Sequence, residues 1–177
     1  MTGTFWRTEL PTAWGRFTAL FASRGLARLW FPGAAPARFG TAESSSPPAD
    51  FPRADPARWK AQTEAALTRA LRGAPPETLP PLDWPLGGTP FQVSVWRALL
   101  RIPPGRPTTY GALAARLGRP GAARAVGGAC GANPVPVLIP CHRVLAAGGG
   151  LGGFSAGREW KRRLLAVEAA TDWPDCP

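Results

Sequence analysis

The segment TTYGALAARLGRPGAARAVGGACG, Thr108–Gly131, sets the architecture of the second half of the chain. Thr109 has the chemistry of a helix cap, and it opens a short helical run from Tyr110 to Leu117 that Gly118 stops. The GRPG tetrapeptide turns the chain, and AARAVGGACG begins another helix. Two short helices joined by a tight glycine-containing turn read as a helix-turn-helix. At 100° per residue, Ala122, Ala125, Val126 and Ala129 share one face of the second helix, which packs inward. The opposite face carries Arg124, Gly127, Gly128 and Gly131, nearly bare backbone with one cation. Each helix glycine costs roughly 1 kcal/mol relative to alanine, so three on one face ask for a reason. Tight helix packing is one reason, and close approach of another surface is the other.

Upstream, Thr89-Pro90 caps a helix running to about Arg101, with Phe91, Val95 and Leu99 at spacings of four. Downstream, NPVPVLIPCHRVL (Asn133–Leu145) holds an apolar run, Val135–Ile139, that reads as strand-like or extended. A glycine-rich loop covers residues 148–157, and an amphipathic helix follows from about Arg158 to Ala170. Residues 74–88 are a proline-rich connector with room for one short strand, and they place a domain boundary near residue 85. Before it, residues 16–31 read as a hairpin: Phe17, Ala19 and Phe21 alternate, Ser23-Arg24-Gly25 turn, and Ala27, Leu29 and Phe31 alternate again. Residues 32–54 read as a long loop. Asp55-Pro56 then start a helix with Trp59, Ala66, Leu67, Ala70 and Leu71 on one face, ended by Gly73. The division is therefore residues 1–85 and residues 86–177.

Composition supports a packed core, with 45% hydrophobic residues, eight Trp and eight Phe in 177 residues. No charged-then-apolar leader opens the chain, and no apolar run reaches membrane-spanning length. The expectation is a cytoplasmic, monomeric protein with no membrane partner, nucleoid-associated if bacterial. Three widely spaced cysteines, Cys130, Cys141 and Cys176, argue against a disulfide framework. One histidine and no Cys-x-x-Cys argue against a zinc site, so no metal and no cofactor are expected. The net charge is +10, and from Trp84 to Arg158 eight arginines stand without a single acid. A one-signed stretch of that length points to a polyanionic partner, nucleic acid first.

Cys141 is followed by His142, the only histidine in the chain, and by Arg143. The thiolate, not the thiol, is the nucleophile, and a base or nearby cation must supply it. The chemistry requires the sulfur to be held as an anion within reach of its electrophile. Neighbouring side chains in extended backbone face apart, so a Cys–His link runs through a water. A working histidine base needs an acceptor on its other nitrogen. Glu168 is the first candidate for it, Glu159 and Asp172 the next. These residues alone leave several readings open: a buried structural cysteine, a Cys-His hydrolase or transferase that turns over, or a transcription regulator using only the helix-turn-helix.

Three segments, TPFQVSVWRALLRIPPGRPTTYGALAARLG, AARAVGGACGANPVPVLIPCHRV and GGFSAGREWKRRLLAVE, resemble the methylated-DNA–protein-cysteine methyltransferases, the alkylguanine-DNA alkyltransferases of direct DNA repair. The resemblance covers about Thr89 to Glu168. It implies an α/β N-terminal domain, a small sheet with a hairpin and a crossover helix, joined to a mainly α C-terminal domain with the helix-turn-helix. It implies minor-groove binding of double-stranded DNA carrying O6-alkylguanine, a flipped base, and irreversible transfer of the alkyl group to Cys141 without a cofactor. By the same resemblance His142 takes the thiol proton through water and Glu168 orients it. Asn133 braces the network, and Tyr110 gives a proton towards N3 of the departing guanine. Arg124 fills the gap in the base stack, with Tyr110, Gly111, Arg119, Gly127 and Gly128 on the DNA-binding face. Val144, Phe154 and Ser155 line the base pocket. A binding-only relative, lacking transfer, is disfavoured because Cys141 is present. In the pocket loop Ala156 stands where the family usually has a second glycine, Arg158 where an apolar residue is common, and Phe154 where many relatives have Tyr.

Overall fold

A meander of three antiparallel strands, β1 (Phe5–Thr12), β2 (Gly15–Ala22) and β3 (Gly25–Trp30), forms most of an N-terminal sheet. The two-residue β4 (Glu43–Ser44) pairs parallel with β1, giving the order β3-β2-β1-β4. The structure is a computed structural model, and it describes residues 5–38, 43–47, 55–84 and 87–168. The boundary near residue 85 falls on residues outside that set, as do Ala169, Ala170, Asp172 and Cys176.

The expected hairpin is β2 and β3. Its simple alternation is not what forms, because Phe21 pairs with Leu26 and Leu20 with Arg28, which leaves Ala27 as an extra, bulged residue. Leu29 and Phe31 join Phe17, Ala19 and Phe21 in the main core, whereas Ala27 packs with Phe5, Leu20 and Ala22 on the other side. Both faces of β2 are thereby covered. Strand β1 has no clear signature in the sequence, since Arg7, Glu9 and Pro11 dilute its pattern, yet Trp6 and Leu10, four residues apart on one face, are buried. Strand β4 lies inside the stretch read as loop. The connector supplies a single bridge, Leu26 to Leu82, rather than a strand. Gly25 makes it possible: at φ 139° a Cβ there would sit 2.1 Å from the Pro81 carbonyl oxygen. The Arg24 guanidinium pairs with Asp83 at 2.7 Å and pins the same contact.

Helix α1 (Pro56–Ala70) starts as expected, with Asp55 accepting from the Arg58 amide. It buries Thr63, Ala66, Leu67 and Ala70, and Trp59 stacks on Phe21. Helix α2 (Pro90–Leu99) carries a reciprocal capping box between Thr89 and Gln92. Strand β5 (Thr108–Thr109) leads into helix α3 (Tyr110–Arg116), and after a turn at Gly118 and Gly121 comes helix α4 (Ala123–Gly131). Val126, Ala129 and Cys130 are the buried residues of α4. Ala125, expected to face inward, is exposed, and Ala122 is half-buried. The small residues let α2 come close, and the Trp96 indole donates to the Ala129 carbonyl at 2.8 Å.

The run Val135–Ile139, expected to be extended, is instead a tight turn. The Ile139 amide donates to the Val135 carbonyl, and Val137 has φ 73°, the left-handed region, at an expense of roughly 1–3 kcal/mol. The strand in this region is β6 (Val144–Leu145), parallel to β5. Helix α5 (Arg158–Val167) closes the described chain. The main core is continuous from Trp6 to Leu164, so the sheet and the helices share it.

Candidate active site

Pro140 directs the chain into a 3-10 turn, Cys141–Arg143. With three residues per turn, successive side chains there diverge by about a third of a circle. Cys141 therefore lines a cavity, while His142 and Arg143 reach back to Glu168. The cavity has a volume of about 740 Å³ and opens between α3, α4 and the loop 146–155.

Cys141 is 3% exposed. Asn133 braces it from the turn before it: Nδ2 donates to the sulfur at 3.1 Å and to the Ile139 carbonyl at 2.7 Å, while Oδ1 accepts from the Val135 amide. Asn133 thus holds the strained turn and the sulfur with one side chain. Burial pushes the Cys141 thiol up, and the Asn133 hydrogen bond and the Lys161 charge only partly offset it. The sulfur rests as a thiol, and the thiolate must be made when the electrophile is in place.

Glu168 is the acceptor for His142, with Nε2 and Oε1 2.9 Å apart. Glu159 is not, since it pairs with Arg162 on the surface. Arg143 also grips Glu168, with Nε at 3.0 and 3.1 Å from the two carboxylate oxygens and Nη2 at 2.7 Å, and its Nη1 donates to the Ile102 carbonyl at 2.5 Å. Burial raises the Glu168 carboxyl, but the bonds from His142 and Arg143 overcome it and hold the group below the usual carboxylate range. An ionised carboxylate only accepts, so His142 carries its proton on Nε2. That leaves Nδ1 as the lone-pair nitrogen. Nδ1 is buried with no hydrogen-bond partner among the described residues. Burial also keeps the ring below its ordinary pKa, hence neutral near pH 7. Gly73 seats Glu168: at φ 78°, a Cβ there would meet the Val167 carbonyl oxygen at 1.7 Å.

Tyr110, Gly111, Arg124, Gly127, Phe154 and Ser155 line the cavity, as Cys141 does. Burial first, then the two nearby thiols, push the Tyr110 hydroxyl up to about 12. Its ring lies against Gly152 and Gly127, with the hydroxyl 3.5 Å from the Gly153 carbonyl. Gly111 and Gly128 have open space where a Cβ would be. Val144 is wholly buried in the core and lies outside the cavity lining. Arg119 also lies outside it, with its guanidinium over the Phe91 ring. Ala156 escapes the strain expected of it, because the positive φ falls on Gly157.

One group lies outside the sequence reading. Lys161 is wholly buried, its Nζ donating to the Val144 carbonyl at 2.6 Å and lying 5.8 Å from the Tyr110 ring centre. The signal was there: Lys161, Leu164, Leu165 and Glu168 are spaced i, i+3, i+4, i+7, one helix face. Cys130 is buried in the core and also lines the cavity with Cys141. Burial lowers Lys161 to about 8, against the pull of both thiols. Between about pH 8 and the ordinary lysine range the unfolded chain holds a proton the folded chain has released, so stability rises with pH there. The Tm of the parent relative to Lys161→Met should climb across that interval. A constant difference would mean that the ammonium titrates normally.

The matching family model is the DNA-binding domain of 6-O-methylguanine DNA methyltransferase, over residues 90–170. The methylated-DNA–protein-cysteine methyltransferase of Salmonella typhimurium is 55% identical over 87 residues, 49% of this chain and 51% of that protein. Its Mycobacterium tuberculosis counterpart is 53% identical over 83 residues, 47% of this chain and 50% of that protein. The matched segment thus spans about half the length of these curated relatives. The crystal structure of Mycobacterium tuberculosis OGT in complex with DNA superposes with a TM-score of 0.77 at 33% identity, covering 93% of each chain.

Proposed function

Because the chain belongs to the O6-methylguanine DNA methyltransferase family, we propose that it repairs DNA by moving an alkyl group from guanine O6 to Cys141, once per protein molecule. One observation carries this reading. A buried cysteine opens into a cavity large enough for a base, and a Glu168-anchored histidine with a free lone pair stands behind it.

The steps follow from the charges. His142 Nδ1 takes the Cys141 proton through a water, and Glu168, accepting from Nε2, steadies the imidazolium so formed. Lys161 and the Asn133 amide offset the charge on the sulfur. The thiolate attacks the alkyl carbon, the carbon–oxygen bond breaks, and Tyr110 gives its proton towards N3 of the leaving guanine. A thioether has no easy reverse, so the protein is consumed. No step calls on a metal or cofactor.

The partner is duplex DNA, approached along the minor groove by α4 of a monomer. The bare Gly128 and Gly131 face supports close backbone approach. Exposed Arg124 at the cavity rim supports a side chain that replaces the extruded base. Within the described residues no helix is long and apolar enough to cross a membrane. Residues 86–177 hold the alkyl-transfer chemistry in this reading, and residues 1–85 form the α/β domain that backs it.

Stoichiometry tests the proposal. With excess duplex carrying labelled O6-methylguanine, label on the protein should plateau at one methyl per chain. Continued loss of methyl from DNA beyond that point would contradict it. Arg124→Ala should slow transfer from duplex roughly ten- to a hundredfold, the worth of about 1–3 kcal/mol of stacking. Transfer from free O6-methylguanine base, which needs no flipping, should change far less. Equal slowing on both substrates would remove Arg124 from the flipping step.

A further inference from the structure

The cavity holds a second thiol that the proposed reaction does not use. Cys130, on the last turn of α4, is 6% exposed and lines the same cavity as Cys141. Asn133 ties the two positions together: its amide donates to the Cys130 carbonyl at 3.2 Å, and its side chain donates to the Cys141 sulfur at 3.1 Å. Both cysteines are free, and the buried Lys161 ammonium acts on both. Two soft nucleophiles on one cavity, with a buried cation behind them, can do what one thiol cannot.

We propose that Cys130 is a second acceptor, which captures alkyl groups that carry a leaving group at their far end. This rests on alkyl transfer to Cys141. A guanine O6 substituent such as a haloalkyl chain would first move to Cys141, breaking its carbon–oxygen bond and forming a carbon–sulfur bond. The far carbon, still bearing halide, then faces Cys130. The Cys130 sulfur attacks that carbon, halide leaves with the bonding pair, and the thiol proton passes to the cavity base or water. The product is a closed bis-thioether between Cys130 and Cys141. Without this capture the reactive end would remain beside the bound DNA.

The first transfer favours the second by tethering. Once alkylated, Cys141 holds the far carbon inside the cavity that Cys130 lines, so the second attack is intramolecular. That proximity offsets a Cys130 thiol pushed up to about 12, chiefly by burial.

The test uses the full chain and two duplexes. One carries O6-methylguanine. The other carries O6-(trans-4-chlorobut-2-enyl)guanine, whose rigid double bond keeps the chloride end from closing on N1. Cys130 and Cys141 fall on one tryptic peptide, between Arg124 and Arg143. With the chlorobutenyl duplex, that peptide should gain the four-carbon unit and lose chloride. It should also refuse iodoacetamide at both cysteines, and fragmentation should place the bridge between them. Cys130→Ser and Cys130→Ala should stop at a Cys141 adduct that keeps chloride or exchanges it for hydroxide, with cross-links to the DNA rising.

A Cys141 mono-adduct in the parent chain, or a bridge that ends on Lys161 instead of Cys130, would overturn the inference and leave alkyl transfer standing. Absence of methyl on Cys141 with the methylguanine duplex would overturn both.

Discussion

Cys141→Ala should lose methyl transfer altogether while still retaining O6-methylguanine duplex in a mobility-shift titration. The sulfur is the one atom the reaction cannot replace. Cys130 cannot stand in, because it has neither the Asn133 hydrogen bond nor a tethered electrophile to offset a thiol pushed up to about 12. The fold should barely notice. Asn133 keeps its bonds to Ile139 and Val135, and the lost packing is on the order of one methylene, about 0.8 kcal/mol. The cavity rim that would face DNA, Tyr110, Gly127 and Arg124, is untouched. Loss of binding together with activity would mean that Cys141 serves the fold. Retained transfer would move the chemistry elsewhere.

Glu168→Ala should cost both stability and rate. It removes the common partner of His142 and Arg143 and leaves a buried guanidinium uncompensated, which is worth about 3–5 kcal/mol. An unfolding free energy lower by that amount, from denaturant titration, is the expected readout. Glu168→Gln separates the two roles, since it preserves volume and one acceptor while removing the charge. Its amide can accept from Arg143, but it no longer forces the His142 proton onto Nε2, so transfer should slow much more than stability falls. The pH dependence has a definite sign. Because Glu168 is held below the usual carboxylate range, its contribution is complete at neutral pH and is lost as pH falls through the folded value into acid. Glu168→Gln should lack that part of the acid sensitivity. Transfer at the parent rate would take Glu168 out of the mechanism.

The sequence was most legible where local chemistry settles the backbone. Thr89-Pro90, Asp55-Pro56 and Thr109 cap helices where their side chains promised. The helix-turn-helix follows from its glycines. Legibility failed where distant contacts decide. The bulge at Ala27 and the two-residue β4 depend on neighbours across the sheet. The turn at Val137 overrides a β-branched run because Asn133 binds both its ends. In the site, the Cys-His pair and Glu168 were visible as residue types. That burial raises the thiol further was not, because burial is a property of the packed core. Arg143 sat beside the pair in the sequence, but its grip on Glu168 needs α5 folded against the 3-10 turn. Lys161 is legible from helical spacing alone, against the usual solvation of lysine.

The most direct measurement is peptide-level mass spectrometry of the protein after incubation with O6-methylguanine duplex. Transfer to Cys141 predicts one methyl on the sulfur of Cys141 in the peptide between Arg124 and Arg143, with unmodified guanine restored in the DNA. Guanine restored with that sulfur bare, or a methyl found on Cys130 or elsewhere in its place, would contradict it.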